Sequence, residues 1–170
     1  MLFDFGDIKL DVDVARTRRY FADAPLLTDD CNCAGCRNYV QAAQKLPREM
    51  QDFFVALGLD TRKTPDVYVN GTMAAGLLFY QGWYHICGEI LQGLSTSTPE
   101  DLPHNAPSTP WIQVSDKFCV SFRKKCDLLP DDFPKPAIQM EIWAANIPWV
   151  LEQENPYANL LIREYIDPRH

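Results

Sequence analysis

Hydrophobic positions recur with two different periods along this chain, and the switches between them mark out its elements. Ile8, Leu10, Val12 and Val14 alternate with Lys9, Asp11 and Asp13, the period-two pattern of a half-buried strand. Residues 16–23 are polar and aromatic, and they read as a second strand through Tyr20 and Phe21. Pro25 and the Thr28-Asp29-Asp30 cluster then interrupt regular structure. Tyr39, Ala42, Ala43 and Leu46 fall at i, i+3, i+4 and i+7, which predicts a helix over 35–46. Pro47 suits the first turn of a second helix, in which Met50, Phe53, Phe54 and Leu57 repeat that spacing. Gly58 follows as the residue that stops it, with Leu59 placed for the hydrophobic contact of a Schellman cap.

Past a loop at 60–65 the period returns to two. Val67 and Val69 alternate within 66–69, and Asn70-Gly71 is a turn signal. Residues 77–80 and 83–87 read as strands separated by Gln81-Gly82, and 88–93 either extend the second or form a short helix. Residues 95–110 are rich in Pro, Ser and Thr and read as an extended loop. Residues 111–114 and 118–122 flank Ser115-Asp116-Lys117 as a hairpin. A second Pro/Asp-rich loop at 128–136 leads into the alternation of Ile138, Met140 and Ile142. Pro148 ends that strand or bends it into Trp149-Val150-Leu151. Tyr157, Leu160, Leu161 and Glu164 have helical spacing, while Leu161-Ile162 also allows a strand. Two consecutive helices in the N-terminal half, followed by many short strands, predict an α+β fold. Its sheet is mainly antiparallel, and residues 1–170 form a single domain.

Composition narrows the function. A hydrophobic content of 46% supports a real core, and 23% charged residues suit a soluble protein. The net charge of −7 argues against nucleic acid, which needs clustered cations to displace counterions. The densest basic groups, Arg16-Thr17-Arg18-Arg19 and Arg123-Lys124-Lys125, are short. The first residues lack the basic and apolar regions of a signal peptide, and the apolar run at 73–80 is too short to span a bilayer. A cytoplasmic protein with reduced thiols and no membrane role is the expectation. Six cysteines in that setting point to metal or redox chemistry rather than to a disulfide framework.

Three of those cysteines lie in Asp30-Cys31-Asn32-Cys33-Ala34-Gly35-Cys36-Arg37-Asn38, at the head of the first helix. Thiolates are the usual ligands of structural zinc, which takes four donors in a tetrahedron. A cation stabilises three crowded thiolates that would otherwise be prone to oxidation. The fourth ligand is sought in Trp83-Tyr84-His85-Ile86-Cys87, because His85 and Cys87 share one face of a strand. Cys119 and Cys126 are the remaining thiols. The bland reading of an isolated buried cysteine is a small hydrophobe.

Two other readings stand beside this one. Cys33-Ala34-Gly35-Cys36 at a helix start suits a thiol–disulfide pair, with Cys33 as nucleophile and Cys36 as resolving thiol. Thr64-Pro65 and the strand after it resemble the Pro-strand-turn segment of thioredoxin-like proteins. No apolar strand leads into the Cys-x2-Cys, however, and two helices fill the interval to Pro65 with no strand between them. The third reading is a small-molecule-binding or hydrolytic domain with its pocket near His85, where Trp83, Tyr84, Trp111, Trp143 and Trp149 could line a surface. The carboxylate pairs Asp29-Asp30 and Asp131-Asp132 sit in loops as solvated turn residues. No phosphate loop, dinucleotide fingerprint or serine-hydrolase elbow is present.

The run Cys31-Asn32-Cys33-Ala34-Gly35-Cys36-Arg37-Asn38-Tyr39 resembles one found in small uncharacterised bacterial proteins, where it opens two helices. Leu57-Gly58-Leu59-Asp60 and Gly82-Trp83-Tyr84-His85 look similar too, so the resemblance covers roughly the middle third of the chain. It implies no activity or substrate, but it does imply that Cys31, Cys33, Cys36 and His85 belong together. The leading expectation is a non-enzymatic module with a structural zinc site and an acidic surface for a protein partner.

Overall fold

The computed structural model describes residues 1–73, 76–93 and 109–162. Strands β1 (Leu2–Phe5) and β2 (Ile8–Val12) form a hairpin, and the alternating residues of β2 are buried as their period requires. Helix α1 (Val14–Asp23) follows at once. Residues 16–23 are therefore helical, which corrects the expected second strand. The Asp13 side chain caps the helix by accepting from the Arg16 N–H at 3.0 Å, and Val14, Thr17 and Phe21 form its inward stripe. That stripe is thin, and the polar residues around it hide its spacing of three and four.

A single turn, α2 (Leu27–Asp30), precedes α3 (Ala34–Ala43) and α4 (Arg48–Ala56). Pro47 is the capping residue of α4 rather than a member of its first turn. Gly58, at φ +79°, ends the helix region as expected, with its N–H donating to Val55 O and that of Leu59 to Phe54 O, both at 3.0 Å. Glycine is needed here twice over, because a Cβ would also lie 2.6 Å from the Val14 carbonyl oxygen.

Five more strands complete the sheet: β3 (Asp66–Thr72), β4 (Leu78–Gln92), β5 (Ile112–Ser115), β6 (Phe118–Arg123) and β7 (Ala137–Ile147). Among the described residues all pairings between these strands are antiparallel. The order is β1-β2-β4-β7-β6-β5, with β3 also paired to β4. The α+β class and the placement of the helices in the N-terminal half are as the sequence predicts.

Two expected breaks are absent. Asn70-Gly71 lies inside β3, where the register shifts between Val69 and Gly71, and Gln81-Gly82 lies inside a continuous β4. Gly82 marks a close approach rather than a turn, since a Cβ there would sit 2.5 Å from Asp66 O. The expected 95–110 loop falls largely outside the described residues. After β7, residues 148–162 run back past β3 and form an isolated bridge between Thr72 and Leu161.

The pleat of β4 divides its side chains between two faces. Tyr80, Tyr84 and Ile86 point toward the helices. The Tyr80 ring lies 5.2 Å from that of Tyr39, and the Tyr84 ring 5.2 Å from that of Phe54. The Tyr39 and Tyr84 hydroxyls meet at 2.7 Å within the core. Gln81, Trp83 and His85 point the other way, and that face holds unusually many polar groups.

Candidate metal centre

The three cysteines are brought together by the junction of α2 and α3. Cys31 is the extended residue that closes α2, its N–H donating to Leu27 O at 3.0 Å. Cys33 occupies the capping position of α3, and its Sγ accepts from the Cys36 N–H at 3.4 Å. The Cys-x2-Cys spacing is thus that of a helix cap and the third residue beyond it, a geometry that folds the first side chain back over the turn. The three Sγ atoms all lie within 4.8 Å of one another. Thiolates at about 2.3 Å from a tetrahedral ion would be about 3.8 Å apart, so the sulfurs need to close by no more than about 1 Å. Cys36 is buried, Cys31 half-buried and Cys33 exposed.

The surroundings hold this junction from the sheet and from the far end of the chain. The Tyr80 hydroxyl donates to Gly35 O at 2.9 Å, and the Asn38 amide donates to the Tyr80 hydroxyl at 3.2 Å. Asn38 also donates to Pro148 O at 3.1 Å and accepts from the Val150 N–H at 2.8 Å. Arg37 bridges Asn32 O at 2.9 Å and Gln153 Oε1 at 2.8 Å. Tyr157 lies against the helix start, where a Cβ on Gly35 would come within 2.9 Å of its hydroxyl. Residues 148–157 therefore form a strap across the cysteine junction. Asn38 is fully buried on the inner side of α3, and it was the one sequence signal for this strap, a carboxamide where the helix pattern calls for an apolar side chain. Tyr80 and Tyr157 carried no such signal.

The thiols differ in acidity. Partial burial works to raise the Cys33 thiol, but hydrogen bonds from the Cys36 N–H and from the Cys36 and Cys31 thiols outweigh it and leave Cys33 below its ordinary value. Burial and then the neighbouring thiols push Cys36 well above the usual thiol range. Burial, followed by the charge of Cys33, raises the Tyr157 hydroxyl as well.

His85 and Cys87 lie elsewhere. His85 is buried, with Nε2 2.9 Å from Asp127 O and its ring 5.5 Å from that of Phe133. Cys87 is buried, and its backbone N–H donates to Thr17 Oγ1 at 3.0 Å. Among the described histidine, cysteine, aspartate and glutamate residues, none joins the three sulfurs within 4.8 Å. The pleat explains the separation. Tyr80 reaches the cysteine junction, and His85, five residues along, lines a separate recess of about 220 Å³ with Tyr20, Leu26, Asp30 and Pro65.

Three convergent thiols, graded from buried to exposed, can hold a metal ion. They can also exchange as a dithiol pair with a neighbour. No helix among the described residues is long and apolar enough to cross a membrane. Compared with protein-family models, with curated proteins and with solved structures, the chain matches none.

Proposed function

We propose that Cys31, Cys33 and Cys36 bind a single zinc ion as three thiolates, and that the centre is structural. The observation that carries this reading is the third sulfur. A disulfide exchanger needs two thiols, and Cys31 has no part in that chemistry, whereas a tetrahedral centre uses all three. Zinc suits the donor set because soft thiolates in a reduced compartment favour it, and its charge would deprotonate Cys36 despite the burial that raises that thiol. The ion would lock the α2–α3 junction against the sheet. The fourth ligand would be water or a donor from outside these three cysteines. In this reading the chain is a non-enzymatic, cytoplasmic module with an acidic surface that engages a protein partner.

The test is metal analysis of the protein purified under reducing conditions. About one zinc per chain is expected, released by chelator together with a fall in thermal stability. Protein that carries no zinc, takes up none on addition and keeps its stability in chelator overturns the reading. A redox role for Cys33 and Cys36 draws on one specific observation, the exposed, lowered Cys33 beside the buried, raised Cys36. Metal-free protein that catalyses insulin disulfide reduction, with loss in Cys33→Ser, would favour it.

A further inference from the structure

The face of the sheet turned away from α3 and α4 carries a second feature, independent of the cysteines. Strand register sets Asp66 beside Trp83 and Trp83 beside Glu141 in one row, and Tyr68 beside Gln81 and Gln81 beside Trp143 in the next. Between these rows, Trp111 and Arg123 opens a recess of about 440 Å³, a volume suited to a small ligand. Its floor is a network of ion pairs and hydrogen bonds. Arg123 Nε pairs with Glu141 Oε1 at 3.0 Å, and the same guanidinium pairs with the Asp127 carboxylate. Gln139 donates to Glu141 at 2.6 Å and accepts from the Asp127 N–H at 2.6 Å. Trp83 Nε1 donates to Asp127 O at 3.2 Å, where His85 also bonds. These contacts brace the floor, although the buried Arg123 Nε meets Glu141 as an ion pair without forming a hydrogen bond.

What remains above the floor is chemically one-sided. Three carboxylates, Asp66, Asp127 and Glu141, line the recess against the single guanidinium of Arg123. Among the described residues no side chain pairs with the Asp66 carboxylate. Burial raises its pKa above the ordinary carboxylate value, and raises that of Glu141 too, although the Gln139 hydrogen bond and the Arg123 charge work against it there. Tyr68, half exposed at the rim, feels the charges of both. The walls are aromatic, from Tyr68, Trp83 and Trp111. The carboxylate oxygens do not converge on a common point as metal ligands do. Among the described residues only the cysteines make such a group. Aromatic faces around surplus negative charge are the environment that holds an organic cation rather than a bare metal ion.

We propose that this recess binds the ammonium or guanidinium head of a small organic cation, which docks against Asp66 and Glu141 between Tyr68, Trp83 and Trp111. The test is a tryptophan-fluorescence titration of the intact protein with choline, with agmatine, and with 3,3-dimethylbutan-1-ol, the uncharged shape analogue of choline. At least one of the two cations is expected to give a saturable change with Kd below about 1 mM, and the alcohol none. Asp66→Asn and Tyr68→Ala, confirmed as folded by circular dichroism, should each weaken that cation at least about tenfold. No saturable response to either cation up to about 10 mM overturns the proposal, as does an equal response to the alcohol. Wild-type affinity in either folded variant overturns it too. All these arms run with the cysteine site untouched, so their outcome is separate from that of the metal analysis.

Discussion

The Tyr80 hydroxyl donates to the Gly35 carbonyl at 2.9 Å, which fastens the central strand to the residue just ahead of Cys36. Tyr80 is fully buried, so the hydroxyl has no access to water as an alternative. Replacing it by phenylalanine leaves the Gly35 carbonyl and one Asn38 amide hydrogen short of a partner. Tyr80→Phe should destabilise the fold by about 1–3 kcal/mol, read from the urea midpoint, and loosen the cysteine junction enough to speed alkylation of Cys36.

Cys33 and Cys36 should react in a set order once any metal is removed. Cys33 is exposed and held below the ordinary thiol value, while Cys36 is buried and held above it. Iodoacetamide labelling followed by mass spectrometry should modify Cys33 at least about tenfold faster than Cys36. Added zinc should slow both. Equal rates with and without zinc would contradict a shared ion.

His85 gives the fold a defined acid sensitivity. Burial first, and the nearby Arg123 charge second, lower its pKa to about 4. The unfolded chain holds this imidazole near 6.5, so between the two values the unfolded state binds the proton that the folded state refuses. The group's contribution is therefore whole above about pH 6.5 and is lost as pH falls toward 4, by up to about 3 kcal/mol. Thermal melts across that window should show the decline, and His85→Gln should flatten it.

Gly82 tests the sheet itself. Asp66 O, Val67 Cγ1 and Val67 Cα all lie within 3.0 Å of where a Cβ would be, and two of these atoms are backbone. Gly82→Ala should force β3 away from β4 and cost about 2–4 kcal/mol, measured by urea denaturation. The same shift would open the row of Asp66 and Trp83, so the cation response should weaken along with stability.

Much of the fold was legible wherever one face is buried and the other wet. The alternation of Ile8, Leu10 and Val12 gave β2, and the stripe of Met50, Phe53 and Phe54 gave α4 with its stop at Gly58. Helix α1 escaped because it buries only Thr17 and Phe21 fully, too few residues to set a period. Strand β4 was split on paper because Gly82 and Gly88 read as punctuation, while in the sheet they admit the neighbouring backbones of Asp66 and Asp11. The cysteine set was legible because it is local, a cap and a turn within six residues. The strap was not, since Asn38 and Val150 are 112 positions apart and nothing local announces their bond. The choice of His85 and Cys87 as partners respected the parity of the strand. In the structure it is Tyr80 that reaches the cysteine junction, and neither His85 nor Cys87 lies with the three sulfurs within 4.8 Å.

The strap over the cysteines also sets a calendar for the newborn chain. The helices and the central strand can leave the ribosome and pack while residues 148–157 are still being made, and through that interval the sulfurs stand bare on an unfinished surface. Any ion that enters early meets an open door, and any oxidant meets the same one. The junction closes only after residues 148–157 have emerged, when Val150 reaches Asn38 and Tyr157 settles on Gly35.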